Sequence, residues 1–145
     1  MTNDRTRAQI VDTQVHAGFP GVVEDSTEEP LDLNEHLAPN STSTFFVRVD
    51  GDSMVNAGIY HGDMLVVDRS LQPKHSDIVV ARLDGAFTVK RLYRTENVIR
   101  LIPENPMYRP MTIHPETDFS VWGVVTWVLH KTHHNQKFPT RTFRA

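Results

Sequence analysis

Asp77-Ile78-Val79-Val80-Ala81, then Asp84-Gly85, then Phe87-Thr88-Val89-Lys90-Arg91-Leu92 is the stretch on which the fold turns. Two apolar runs flank an Asp-Gly pair. Asp-Gly between such runs signals a tight antiparallel hairpin, because both central positions of the favoured turn need positive φ. A period of two then assigns faces to the second run. Thr88, Lys90 and Leu92 share one face; Phe87, Val89, Arg91 and Tyr93 share the other. On either side of this hairpin, residues 44–130 keep alternating apolar and polar positions, punctuated by turn signals at Gly58, Gly62 and the loop from Pro103 to Pro110. Strands are expected near 44–49, 64–68, 77–83, 86–93, 97–102 and 119–129, with no helix longer than about two turns. The expected class is mainly β: a twisted antiparallel sheet domain preceded by a flexible N-terminal arm.

Lys90 is the anomaly in this pattern, a cation inside an otherwise strand-like run. Its ordinary reading is an exposed strand lysine. A second stretch changes its weight. Phe45-Phe46-Val47-Arg48-Val49 runs into an abrupt turn at Asp50-Gly51-Asp52, which presents Ser53 ahead of Met54. A turn serine alone usually only bonds to nearby backbone. A serine with a lysine as its base, however, is one of the known nucleophile arrangements. Thr88, next to Lys90 on its face, is the candidate partner that orients the amine.

The 145 residues suit one domain with a core of its own. Cysteine is absent, which excludes disulfides, thiolate metal sites and a cysteine nucleophile, and fits a reducing compartment. The N-terminus carries no apolar signal segment, and the longest apolar run, 121–129, is too short to span a bilayer. The expected location is cytoplasmic, with no membrane partner. A formal charge of −3 excludes nucleic-acid binding by bulk electrostatics, and no sequence-specific DNA binding is expected. Charge is nonetheless uneven. Six acids and no Lys or Arg lie between Glu24 and Glu35, while no acid follows Asp118. Solvated tails are the simple account; segments that meet oppositely charged partners are the sharper one. His130, His133 and His134 in the basic C-terminal stretch have no carboxylate nearby in sequence and are read as solvated, with no metal site. No cofactor is expected.

Gly51-Asp52-Ser53-Met54, Gly58-Ile59-Tyr60-His61-Gly62-Asp63, Asp77 to Ala81 and Phe87 to Leu92 together resemble the LexA/UmuD family of self-cleaving serine peptidases, and within it the UmuD/MucA branch. That branch supplies accessory subunits of an error-prone DNA polymerase in the DNA-damage (SOS) response. The resemblance covers roughly residues 44–130, plus Ala17-Gly18 upstream. It implies Ser53 as nucleophile and Lys90 as base, with backbone N–H groups of Asp52 and Ser53 as the oxyanion hole. It implies scission at Ala17-Gly18, where small residues on both sides allow close approach. It further implies a homodimer, activation by a RecA–single-stranded-DNA filament, and a Y-family (UmuC-like) polymerase subunit as partner of the trimmed chain.

Residues 1–43 read as a cleavable flexible arm, rich in polar residues and broken by Pro20, Pro30 and Pro39, with a short helical turn near 31–37. Residues 44–130 form the peptidase domain and 131–145 a basic tail. The arm is too short to hold a helix-turn-helix reader of DNA. For Lys90 to act as a base it must lose its proton. An ordinary lysine, with pKa about 10.4, is almost wholly charged near neutrality, and burial lowers that value. Val49, Met54, Val89 and Leu92 are the residues expected to line such a site. Asn56-Ala57 and the long basic tail depart from the family pattern. The alternatives are a non-enzymatic interaction module on the same scaffold, or a truncated LexA/phage-type repressor.

Overall fold

The computed structural model describes residues 8–11, 15–21 and 28–133. The chain divides into two units, Met1–Pro39 and Asn40–Ala145. In the first, β1 (Ala8–Val11) pairs antiparallel with β2 (Glu28–Leu31), and α1 (Leu33–Leu37) follows. Asp32 caps this single turn by accepting a hydrogen bond from the Asn34 N–H at 3.0 Å. The helical turn lies where the sequence placed it. The β1–β2 pair does not appear in the sequence reading, because four-residue strands give too short an alternation to register. Residues 131–133 lack regular structure; the rest of the basic tail, with His134, lies outside the described residues.

The second unit is a seven-stranded antiparallel sheet. Its strands are β3 (Thr44–Arg48), β4 (Met64–Asp68), β5 (Ile78–Leu83), β6 (Ala86–Arg94), β7 (Ile99–Ile102), β8 (Met111–Ile113) and β9 (Phe119–Leu129). Their order across the sheet is β3-β4-β9-β5-β6-β7-β8. The β5–β6 hairpin closes at Leu83↔Ala86 through Asp84 and Gly85, with φ of 48° and 82°, which is the left-handed pair that Asp-Gly accommodates. β8 is the one strand of this sheet absent from the sequence reading. It has three residues and directly follows a proline, Pro110.

Two hydrophobic clusters lie on the sheet. Val49, Met54, Ile59, Leu65, Val67 and Val80 form one; Val79, Ala81, Leu92, Leu101 and Val124 form the other. The alternation Val79/Val80/Ala81 sends neighbours to different clusters, so β5 is covered on both faces and reads as a continuous apolar run. Central β9 carries an extra residue twice. Its register shifts where Val66 pairs with Trp127 but Val67 with Val125, and again where Val80 pairs with Gly123 but Ala81 with Val121. Such bulges bend a strand and increase its twist. Both bulges lie between β3 and β6, which stand four places apart, roughly 19 Å in a flat sheet at about 4.8 Å per strand.

Candidate active site

The turn that carries Ser53 is held at both ends. Val49 still pairs with the β4 side, its N–H donating to Asp63 O at 2.8 Å and its carbonyl accepting from Gly62 N–H at 2.9 Å. Gly51, with φ of 98°, then breaks the strand, and its N–H donates to His61 Nδ1 at 3.2 Å. After the serine, Met54 is 2% exposed and sits in the first core cluster. Its carbonyl accepts from Ala57 N–H at 3.0 Å and Ile59 N–H at 3.3 Å, closing the single turn 55–57 that ends at left-handed Gly58. The buried methionine is the anchor; the half-buried serine beside it faces the groove.

Lys90 comes from β6, opposite Val79 on β5. Beyond Lys90, β6 pairs with β7 only at Arg91–Arg94, so among the described residues the segment 86–90 has no strand paired along that edge. That edge and the end of β3 border a groove of about 410 Å3, lined among others by Val49, Ser53, Met54, Val89, Lys90 and Tyr108. Here the two elements meet: Lys90 Nζ lies 3.1 Å from Ser53 Oγ. The turn after β3 thus meets β6 although the two strands stand four places apart in the sheet. Nζ also donates to Thr88 Oγ1 at 2.7 Å and to Val89 O at 3.0 Å. Burial lowers the Lys90 pKa from its ordinary value. Leu92, expected at this site, belongs instead to the second core cluster with Leu101 and Val124, because it lies past the point where β7 covers β6.

The three contacts of Nζ suit either protonation state. As an ammonium it has three protons and three acceptors. As a neutral amine it has two N–H groups, for Thr88 and Val89, and one lone pair, which then accepts the Ser53 hydroxyl proton. The carbonyl of Val89 can only accept, so the ambiguity falls on the two hydroxyls. This arrangement is able to hold a proton at Nζ or at Oγ without changing partners.

Ala17 and Gly18 lie in an exposed bend of the N-terminal unit, between Val15 and an almost fully exposed Phe19. Among the described residues no group of three His, Asp or Glu side chains is placed to hold a metal ion, and no helix is long and apolar enough to cross a membrane. Asn105 and Tyr108, both bonded to Asp52, were not singled out by the sequence. They lie in the loop from Pro103 to Pro110, where no periodicity operates; the only signal there is a polar and an aromatic residue within a proline-bounded loop.

A serine hydroxyl set against a half-buried lysine is one of the nucleophile–base arrangements found in serine peptidases. The comparisons with known proteins agree. A model of the Peptidase S24-like family matches residues 9–126, and the chain belongs to that family of self-cleaving peptidases of the SOS response. It is 45% identical over 117 residues to Protein ImpA of Salmonella typhimurium, covering 80% of this chain and 79% of ImpA. It is 44% identical over 128 residues to Protein SamA of Salmonella typhimurium strain LT2, covering 88% and 89%. LexA repressor 2 of Pseudomonas putida is 39% identical over 118 residues, 81% of this chain but 58% of the repressor.

Proposed function

We propose that the protein cuts its own chain between Ala17 and Gly18, and that the contact of Lys90 Nζ with Ser53 Oγ at 3.1 Å performs the cut. Neutral Lys90 takes the hydroxyl proton as Oγ bonds to the Ala17 carbonyl carbon. The oxyanion rests on the backbone N–H groups of Asp52 and Ser53. The tetrahedral adduct collapses, the bond to Gly18 nitrogen breaks, and Lys90 returns the proton to that amine. Water, deprotonated by the same lysine, then attacks the Ser53 ester; the bond to Oγ breaks, Lys90 returns the proton to Oγ, and the Ala17 carboxylate is freed. Thr88 and Val89 hold the amine in line throughout. Residues 1–43 act as the arm, 44–130 as the peptidase domain and 131–145 as a basic tail.

The trimmed chain, Gly18–Ala145, is proposed as an accessory subunit of a UmuC-like translesion polymerase in the cytoplasm. A homodimer and activation by a RecA–single-stranded-DNA filament belong to the same reading, supported by family membership. The filament would act by favouring the docked arm, which completes the burial of Lys90.

Incubating the full chain from neutral to alkaline pH and weighing the products tests this. The expected result is a product beginning at Gly18 whose rate rises with pH as the amine loses its proton. Ser53→Ala and Lys90→Ala are each expected to leave the chain intact. Self-cleavage of Lys90→Ala at the normal rate would remove the lysine from the mechanism, and an intact wild-type chain under both alkaline and filament-activated conditions would favour a non-enzymatic module.

A further inference from the structure

Between β7 and β8 the chain runs from Pro103 to Pro110 and lies against the turn that carries the serine. Asn105 Nδ2 donates to the carbonyl oxygen of Asp52 at 2.9 Å, and the Tyr108 hydroxyl donates to the Asp52 carboxylate. The Asn56 N–H donates to Glu104 O at 2.9 Å. The Glu104 carboxylate in turn pairs with Arg91, the residue after Lys90. One loop therefore touches the serine turn and the lysine strand alike. The far end of the Asn105 amide accepts the Met107 N–H at 3.0 Å, which fixes which end faces Asp52.

The peptide between Asp52 and Ser53 is planar and trans, so its C=O and N–H point in opposite directions. A donor that holds the Asp52 oxygen thereby also sets the direction of the Ser53 N–H. Among the described residues that N–H, like that of Asp52, donates to no carbonyl or side chain. We infer that Asn105 is a positioning residue: it locks the Asp52–Ser53 peptide so that the Ser53 N–H is aimed at the oxyanion formed on the substrate carbonyl. Asn105 touches neither nucleophile nor base, and acts through the peptide plane alone. Tyr108 steadies the same residue from its side chain, a weaker constraint because the carboxylate can rotate while the peptide stays put. The inference rests on Ser53 and Lys90 being the nucleophile and base of self-cleavage.

The test is self-cleavage of the full chain as wild type, Asn105→Asp and Asn105→Ala, each across the alkaline range. Asn105→Asp keeps the shape and the acceptor for Met107 but sets an oxygen against the Asp52 carbonyl. Losing a whole oxyanion donor slows comparable enzymes by about 100- to 1,000-fold, so misaiming one should slow the plateau rate by roughly 10- to 100-fold. The midpoint of the Asn105→Ala profile should not move, because that change adds no charge and breaks no bond to Lys90, whereas the carboxylate of Asn105→Asp should push the midpoint up. In a Lys90→Ala background, which does not cut, the Ser53 amide resonance should shift on Asn105→Asp while those of Leu65 and Leu92 stay. Melting curves separate slow chemistry from lost fold, and where one variant is unstable the other carries the test. An Asn105→Ala chain cutting within about twofold of wild type overturns the inference and leaves the serine–lysine reading intact. So does a displaced midpoint in Asn105→Ala, or an unmoved Ser53 resonance. A wild-type chain that never cuts removes both.

Discussion

Thr88→Val probes the amine without touching either reacting atom. In the charged state Nζ has three protons and three acceptors, at Ser53, Thr88 and Val89. Valine keeps the shape of threonine and deletes the 2.7 Å acceptor, stranding one proton in a half-buried site. Both protonation states lose a bond, but not equally. Hydrogen bonds involving a charged group are worth about 1.5–3 kcal/mol and neutral ones about 0.5–1.5. Discounting for partial exposure, the ammonium loses roughly 1 kcal/mol more than the amine. The extra methyl adds to the desolvation that already lowers the Lys90 pKa, so the two effects share a sign. A bias of about 1 kcal/mol is roughly fivefold in the ratio of neutral to charged lysine. The pH–rate profile of Thr88→Val self-cleavage should therefore slide toward lower pH, while its plateau falls because the amine is held by one fewer bond. Mass spectrometry of the Gly18–Ala145 product over a pH series measures both. A profile displaced toward higher pH, or an unmoved profile with an unchanged plateau, would mean that Thr88 does not hold the charged amine.

Asp68 is buried at the end of β4 and accepts from Ser70 N–H at 2.8 Å, Ser70 Oγ at 2.6 Å, Ser43 Oγ at 3.1 Å and Asn40 Nδ2 at 3.3 Å. The Ser70 hydroxyl leads in holding its pKa below the ordinary 3.8, so its stabilisation is full above that value and fades as pH falls through the folded-state pKa. Asp68→Ala should cost about 3 kcal/mol in urea unfolding at pH 7 and flatten the acid limb of the stability curve. Gly123 marks the second bulge of β9, and a Cβ there would lie 2.5 Å from Val67 Cγ1. Gly123→Ala should therefore cost about 1–3 kcal/mol by overpacking, read from the same urea curves, and a neutral result would mean that β9 relaxes freely at the bulge.

The sheet was legible because it obeys a single rule over a long stretch. β5 is a continuous apolar run, β6 alternates around Lys90, and Asp84-Gly85 joins them, so register and hairpin follow from local chemistry. β8 and the β1–β2 pair were not, since three or four residues carry too little alternation and their pairing is decided by neighbours. Ser53 and Lys90 were noticed through a turn and a misplaced cation, but it was the resemblance of the four surrounding motifs to the LexA/UmuD family that joined them as a pair. Their 3.1 Å contact joins a turn after β3 to a strand four places away in the sheet, and no period in the sequence announces such a meeting. Asn105 and Tyr108 were hidden for a related reason. Their partner is the backbone and side chain of Asp52, more than fifty positions away, and a loop residue carries no mark of what it will bond to.

The lowered pKa of Lys90 has a thermodynamic counterpart. Because the folded-state value lies below the unfolded one, the unfolded chain binds more protons throughout the window between them. Folding stability must rise with pH across that window, and below it the fold carries the burden of a partly desolvated ammonium. The same burial that makes the amine available as a base therefore weakens the resting fold near neutrality. Deeper burial would raise the neutral fraction and deepen that cost together. Half-burial, with Val89 O and two hydroxyls satisfying the ammonium, limits the cost in the resting protein. It leaves the remainder of the desolvation to whatever occupies the groove. A substrate segment that excludes water from the 86–90 edge of β6 would supply that remainder only while docked, so base strength and substrate presence would rise together.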